Sequence, residues 1–302
     1  MQRLLVIYNP RSTRYKSVKS EVLDKLPNLK GYIIGKYTIK KIGFEGNVKD
    51  LSKVIKDGDL IISAGGDATA AISANAIIKS GKDATLGVLP YGNFNDLART
   101  LKTHTLDDII SQNQKPVRLY PLEIIVDGKF WRYATCYVTI GVTAEAVELF
   151  DEQKVRTYLQ KGHKSSWRSY IYLMKWYFKN RHKKIFLPGL KINGAAQHEK
   201  TSDYAALSGR SMCRVMKGRE DYLKPKVFRS TAKPLANFWP LFILMTKSIF
   251  YRVPGDETTG DKLEFSNPTT IELQAEGEYQ IFQNVKTVEV KKGAKCLKVV
   301  QN

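Results

Sequence analysis

The stretch Leu60-Ile61-Ile62-Ser63-Ala64-Gly65-Gly66-Asp67-Ala68-Thr69 constrains the fold more than any other part of the chain. An apolar strand runs without a spacer into two glycines. A helix-compatible run from Ala70 to Lys79 follows, with Gly81 placed to cap its end. A strand that turns straight into a helix is a unit of a parallel sheet, and its turn lies on the carboxyl edge, where such sheets bind ligands. Glycines let backbone N–H groups approach a ligand closely, and the helix dipole favours negative charge there. Asp67 adds a further demand. A carboxylate beside a phosphate is repulsive unless a metal, or a network of water and cations, lies between them. The stretch therefore predicts a nucleotide phosphate with Mg²⁺, and an ordinary βα turn without a ligand is the alternative.

Two more loops belong on the same edge. Thr85 to Pro90 reads as a buried strand, followed by Tyr91-Gly92-Asn93-Phe94-Asn95-Asp96 and a short amphipathic helix from Leu97 to Leu101. Asn95 or Asp96 can cap that helix through its side chain. The strand from Arg3 to Tyr8 runs into Asn9-Pro10-Arg11-Ser12-Thr13. Strand and helix patterns alternate up to about Arg118, with helices expected from Val18 to Leu26 and from Val48 to Ile55. After Val117 short β-rich runs dominate, among them Pro121 to Val126, Phe130 to Ile140 and Thr270 to Gln274, and Asp127-Gly128 is a strong hairpin signal. The predicted fold class is α/β plus β. Residues 1–118 form a doubly wound α/β nucleotide-binding domain. Residues 119–302 form a mostly antiparallel β-sandwich with inserted helices, its last strands free to pack back on the first domain. The active site is expected in the cleft between the halves.

Composition narrows the partners. The net charge is +20 over 302 residues. From Lys154 to Lys184 there are ten basic residues and no acidic one. Within this run Ser166 to Lys179 reads as an amphipathic helix with Trp167, Tyr170, Ile171, Met174 and Phe178 on one face. A basic helix with Trp and Tyr on its apolar side suits an anionic membrane surface, with Lys164, Trp167, Arg168, Lys175 and Lys179 as the contact residues. The alternative is a stripe packed on the sandwich beneath solvated charges. No helix-turn-helix, RNA-recognition or zinc-finger pattern is present, so nucleic acid is not expected. Cys136, Cys213 and Cys296 are odd in number and scattered, which fits a reducing cytosol, and the four histidines have no metal-ligand spacing. The apolar run from Leu235 to Tyr251 is interrupted by Pro240 and Lys247, and nothing from Met1 onward reads as a signal peptide. The expectation is a cytoplasmic protein, peripheral at the inner face of the membrane, with a homodimer left open.

In order and spacing, Asn9-Pro10-x-Ser12, then Gly65-Gly66-Asp67-x-Thr69, then Pro90-x-Gly92-x-x-Asn95-Asp96-x-Ala98-Arg99 resemble the catalytic domain of diacylglycerol kinases and bacterial lipid kinases. The resemblance implies ATP and Mg²⁺ as cofactors and a lipid substrate. Asn9, Ser12, Thr38, Gly65, Gly66, Asp67, Ala68, Thr69, Asn93, Asn95 and Asp96 then fall on nucleotide-binding positions, with Asp67 among the catalytic residues. Glu276-Gly277-Glu278 falls where the family has D-G-E, the element bearing the general base. Asp221 falls near the family's D-G-L, which holds a structural Mg²⁺, while Asp67 and Asp96 serve a metal indirectly. Both glutamates follow a β-rich run, and residues two apart in a strand share a side, so both carboxylates are expected in one cleft. A hairpin turn in solvent is the alternative.

The chain departs from the family pattern at several places. Ala68 replaces a glycine, Ala71-Ile72 replaces polar and acidic residues, and Asn93-Phe94 replaces Thr-Gly. Tyr120 replaces an aspartate, and Glu276 lengthens a carboxylate by one methylene. The function implied is phosphorylation of a membrane lipid hydroxyl, diacylglycerol in the first place. A non-catalytic relative that binds lipid or nucleotide is the reading from another class.

Overall fold

The computed structural model describes residues 1–111, 116–141, 143–145, 175, 187–199, 201, 203–212, 216–217, 227–232 and 256–302. The chain divides into two compact units, Met1–Tyr120 with Ala294–Asn302, and Pro121–Gly293.

The first unit contains β1 (Gln2–Tyr8), α1 (Tyr15–Val18), β2 (Tyr32–Thr38), α2 (Gly43–Ser52), β3 (Leu60–Gly65), α3 (Asp67–Ser80), β4 (Thr85–Pro90), α4 (Asp96–Leu101), α5 (Leu106–Ile110) and β5 (Val117–Leu119). The C-terminal strand β18 (Leu297–Val299) joins them. The sheet order is β2-β1-β3-β4-β18-β5. All neighbours run parallel except β5, which is antiparallel to β18. From β1 the chain winds first to one side, to β2, and then to the other, to β3. The loops after β1 and β3 therefore open beside each other at a topological switch point. Leu4, Val6, Leu60, Ile62 and Ala64 point into one buried cluster, which Val18, Val22, Leu106 and Ile109 complete. The central strands β1, β3 and β4 are buried on both faces, as parallel strands covered by helices must be, while the edge strand β2 is partly exposed. The long helix expected from Val18 to Leu26 is instead a series of short turns, α1, a π-type turn over Lys19–Leu23 and a 3-10 turn over Leu26–Asn28. Pro27 lies at the start of the last turn, where it is compatible with a helix beginning but not with one continuing through it.

The second unit is antiparallel. It comprises β6 (Leu122–Val126), β7 (Lys129–Ala134), β8 (Tyr137–Gly141), β9 (Leu190–Ile192), β10 (Ala195–Ala196), β11 (Asp203–Leu207), β12 (Ser211–Met212), β13 (Met216–Lys217), β14 (Val227–Ala232), β15 (Asp256–Thr258), β16 (Gly260–Ala275) and β17 (Glu278–Lys292). The principal sheet runs β15-β14-β11-β8-β16-β17-β6-β7, with β9 and β10 on its flank. The run from Phe130 to Ile140 splits into β7 and β8, which lie far apart in this order although only Thr135 and Cys136 separate them. The sheet must therefore fold over so that its β7 edge returns to β8. Residues of strands distant in the ladder accordingly share one core, Ile124 of β6 with Tyr204 of β11 and Leu273 of β16. Asp127 and Gly128, with φ of 47° and 73°, form the hairpin turn between β6 and β7. Two positive φ values match the right-handed twist of the strands. Among the described residues no helix is long and apolar enough to cross a membrane.

Candidate nucleotide site and the carboxylate hairpin

The first unit gathers three loops at the carboxyl ends of β1, β3 and β4. The glycines after β3 serve close approach rather than unusual backbone angles, since neither has positive φ. A Cβ on Gly65 would lie 2.4 Å from the hydroxyl of Thr69. A Cβ on Gly92 would lie 2.4 Å from the Cα of Gly66. The two loops thus pack backbone against backbone, which only glycines permit. Helix α3 begins at Asp67 with Gly66 as its N-cap and no side-chain cap. The Thr69 N–H turns back to the Gly66 carbonyl at 3.0 Å, and the helix terminus carries the partial positive charge that suits an anion. Ala68 lies in the first turn without positive φ, so the methyl group costs nothing conformationally. Thr69 is buried, and so are Ala71 and Ile72, which explains their apolar character. Gly81 closes the helix with φ of 65°.

Asp67 does not face the mouth as a free charge. Its carboxylate accepts from the N–H of Asn95 at 2.8 Å and of Asp96 at 2.6 Å. The expectation that Asn95 or Asp96 caps α4 through its own side chain is therefore corrected, because α4 has no such bond and Asp67 supplies the acceptor from the neighbouring loop. Asn95 occupies the left-handed region, φ 55°, which asparagine tolerates. Its side chain instead closes the loop, accepting from the Gly92 N–H at 2.6 Å and donating to the Gly92 carbonyl at 2.8 Å. Asp96 is buried and accepts from Arg99 at 2.9 Å. Burial pushes the Asp67 carboxyl above the usual carboxylate range, against the two backbone donors and the nearby Arg99 charge.

The remaining predicted nucleotide residues lie on the same edge. Asn9 accepts from the Arg11 N–H at 3.0 Å, and its carbonyl takes the Ser12 N–H at 3.0 Å. Thr38 is exposed at the end of β2. The Ser12 hydroxyl and the Asn93 side-chain oxygen are buried and have no hydrogen-bond partner. A helix terminus without a side-chain cap, glycine-on-glycine contact and two such orphaned polar atoms fit a phosphate-bearing ligand. Among the described residues no three His, Cys, Asp or Glu side chains cluster to hold a metal.

Several positioning residues carried no sequence signal. Asn47 is buried on α2 and pins the loop after β2, accepting from the Lys40 N–H at 2.8 Å and donating to the carbonyls of Lys40 and Gly43. Arg14 donates to the Pro90 carbonyl at 3.2 Å and lies over the Tyr91 ring, 5.5 Å from its centroid. Tyr91 in turn donates to Glu21 at 3.0 Å. The spacing of Gly92 within its motif was the one available clue in this group, and it lies in the loop but outside the predicted set.

In the second unit, Glu276 and Gly277 form the turn between β16 and β17, with φ of 53° and 86°, and Ala275 pairs with Glu278. The two glutamates therefore do not share a strand face, which corrects the alternation argument. Glu276 belongs to the turn, whereas Glu278 opens the returning strand and is half-buried. Glu276 itself is buried, at 3% exposure, so this is not a solvated turn. Its Oε1 accepts from the Thr135 hydroxyl and the Cys136 N–H. Thr135 and Cys136 are neighbours of Glu276 that carried no sequence signal, since nothing marks a two-residue β corner. Lys175 is exposed and helical. Asp221, Lys164, Trp167, Arg168 and Lys179 lie outside the described residues.

Residues 3–122 match the family model of the diacylglycerol kinase catalytic domain. The chain is 33% identical over 129 residues to a diacylglycerol kinase of Staphylococcus epidermidis, covering 42% of this chain and 37% of that protein. It is 32% identical over 129 residues to a diacylglycerol kinase of Staphylococcus aureus, again covering 42% and 37%. The match thus spans little more than a third of these relatives' length. A crystal structure of a diacylglycerol kinase from Bacillus anthracis superposes with a TM-score of 0.64 at 14% identity, over 100% of this chain and 97% of that one, which shows a shared fold. Residues 3–122 of this chain are thus similar to the diacylglycerol kinase catalytic domain.

Proposed function

We infer that this protein is an ATP- and Mg²⁺-dependent lipid kinase that phosphorylates the free hydroxyl of a membrane lipid, with diacylglycerol as the preferred acceptor. The observation that carries the reading is the match of residues 3–122 to the diacylglycerol kinase catalytic domain, together with three loops built to take phosphate at one sheet edge. The N–H groups at the start of α3 and the hydroxyl of Ser12 hold the phosphates. Asp67 sets the path of the Gly92–Asp96 loop, and Asn93 contacts the nucleotide from that loop. A divalent cation, when bound, supplies charge neutralisation on the transferring group, with Asp67 and Asp96 the nearby carboxylates of this unit.

Phosphoryl transfer through a loose transition state needs positioning more than a strong base. A carboxylate need only accept the acceptor's proton late. Glu276 takes that role in our reading. Its Oε1 is held by Thr135 and Cys136, which leaves Oε2 as the oxygen outside that grip. Glu278, opening the next strand, orients a partner of the site. The net charge of +20 favours an anionic bilayer as the surface where acceptor lipid is met.

The test is transfer of radiolabelled phosphate from ATP to a panel of lipids in mixed micelles, with and without Mg²⁺. Diacylglycerol should be labelled only with Mg²⁺, and Glu276→Gln should lower the rate by about 10²-fold or more. Glu278→Gln should cost less. A second reading, a nucleotide-binding relative without transfer, is favoured by the burial of the Glu276 carboxylate in the turn. It predicts stabilisation by Mg²⁺-ATP with no lipid labelled.

A further inference from the structure

The corner between β7 and β8 does more than turn the chain. Cys136 is gripped on both sides of its backbone. Its N–H donates to Glu276 Oε1. Its carbonyl accepts from the N–H of Ser208 at 2.6 Å and of Gly209 at 2.8 Å. Gly209 is seated so tightly that a Cβ there would lie 3.0 Å from the Cys136 sulfur and 3.2 Å from its Cα. The Ser208 side chain, fully buried, accepts a hydrogen bond from the ammonium of Lys292, the last residue of β17. Lys292 is only partly buried, and its backbone is fixed by pairing with Leu122 on β6.

A continuous set of contacts therefore runs from a cation to the candidate base. Lys292 fixes Ser208, Ser208 and Gly209 fix the Cys136 carbonyl, and Cys136 with Thr135 fixes Glu276. Six residues from four separate parts of the chain meet here. Both ends of β17 take part, Lys292 closing it and Glu276 lying two residues before it. A lysine this close to a buried serine loses much of its rotamer freedom, which needs a compensating gain. An ordinary surface lysine at the end of a strand would point its ammonium into water.

We propose that Lys292 is a positioning residue for Glu276, acting through Ser208 and the Thr135–Cys136 corner to hold the carboxylate in one orientation toward the acceptor hydroxyl. This rests on the lipid-kinase reading for its catalytic meaning, but the relay itself is testable without any reaction. A charge-assisted bond to a buried hydroxyl is stronger than a neutral one, so its loss loosens the Ser208–Gly209 turn and with it the carbonyl clamp on Cys136. Misplacement of the carboxylate by about 1 Å lowers rate more than it lowers ATP binding, because ATP is held by the other unit.

The full chain is prepared as wild type and as Lys292→Met, Ser208→Ala and Lys292→Arg, with Lys291→Met as the control at the neighbouring exposed lysine. Two measurements are made. The first is hydrogen exchange of the Cys136 amide, by NMR and without substrate, referenced to amides of β3. The second is steady-state transfer from ATP to diacylglycerol. Lys292→Met and Ser208→Ala should speed Cys136 exchange by about tenfold while β3 is unchanged, the size of one lost hydrogen bond. In the same variants kcat should fall by roughly tenfold or more, with the KM for ATP within about twofold of wild type. Lys292→Arg should restore both, and Lys291→Met should leave both at wild type.

Unchanged Cys136 exchange in both Lys292→Met and Ser208→Ala overturns the proposal. So does a parallel loss of kcat and ATP affinity that Lys292→Arg does not rescue. If the wild type labels no lipid, the kinase reading fails, while the exchange measurement still decides the relay. If Lys292→Met does not fold, Ser208→Ala carries the same test.

Discussion

Asp67 in the first unit and Glu276 in the second are built on one plan and held at different cost. Each carboxylate reaches across to another segment and accepts two donors from it, Asn95 and Asp96 in one case, Thr135 and Cys136 in the other. Asp67 does this from the first position of a helix, where the dipole favours a negative charge. Glu276 does it from a left-handed turn, φ 53°, where a glutamate costs about 1 kcal/mol or more relative to glycine and where asparagine or aspartate would serve the turn better. The comparison separates two reasons for a buried carboxylate. Asp67 is accounted for by the loop it ties down. Glu276 stays in a strained place that turn stability alone would not select, and strain of this kind is stored at working sites.

Asp203 offers the largest test of that contrast, because it repeats the plan without strain or catalytic assignment. It accepts from the N–H of Thr143 at 2.9 Å and from the Thr143 hydroxyl at 2.7 Å. Burial pushes its carboxyl up to about 7, against those two bonds. A carboxyl whose folded value lies above its unfolded one adds stability below the unfolded value and loses it as pH rises through the folded one. The window here runs from about pH 4 to about pH 7 and is worth at most about 4 kcal/mol. Denaturant unfolding across that range should show wild-type stability falling relative to Asp203→Asn as pH rises. Parallel curves for the two proteins would remove Asp203 from the account.

Next in size is Asp67→Ala. It strands the N–H groups of Asn95 and Asp96 and should cost about 3 kcal/mol of unfolding free energy. It should also abolish the thermal shift produced by millimolar Mg²⁺-ATP. Full retention of that shift would mean that the Gly92–Asp96 loop does not need its anchor to form the nucleotide site.

These residues also show what a sequence can and cannot convey. The βα units of the first unit were legible because strand, glycine turn and helix are consecutive, and local propensity agrees with the final fold. Asp67 stood out in its strand–Gly-Gly–helix turn, but its partners did not, since 28 residues separate it from Asn95. Glu276 was assigned by its neighbours Gly277 and Glu278, while its burial depends on a corner 140 residues away. The sequence leaves the last strands free to pack back on the first domain, but the pairing of β18 with β4 is a register that its three residues could not specify. Asn47 was invisible for a similar reason. A polar residue on a helix reads as solvated until the loop that it holds is folded against it.

Gly92→Ala comes third. Its Cβ would collide with the Gly66 backbone, which cannot swing aside as a side chain could. The cost should be about 2 kcal/mol, with ATP binding weakened alongside, read by calorimetry. Gly277→Ala sharpens the comparison, for a Cβ there meets nothing within 4 Å and the cost is only that of a φ of 86°. If Gly92→Ala were milder than Gly277→Ala, contact between the loops would matter less than backbone angle.

The smallest expected effect belongs to Ala68→Gly, which restores the residue usual in the resembling family. Ala68 lies in the first turn of α3 with φ in the ordinary helical range, so the glycine there removes no strain. Glycine in a helix gives up backbone entropy and costs roughly 0.5–1 kcal/mol relative to alanine. Stability should therefore drop slightly, and affinity for Mg²⁺-ATP should change by less than about threefold, since a few tenths of a kcal/mol is all that one methyl at a half-buried position can alter. Both quantities can be read in one titration calorimetry and unfolding series. A rise in ATP affinity of tenfold or more would show that the methyl obstructs the phosphates. The departure at Ala68 would then bear directly on nucleotide binding. Near-equality would clear Ala68 and leave Asn93-Phe94 and Tyr120 in the first unit, and Glu276 in the second, as the departures still to be tested for the proposed transfer.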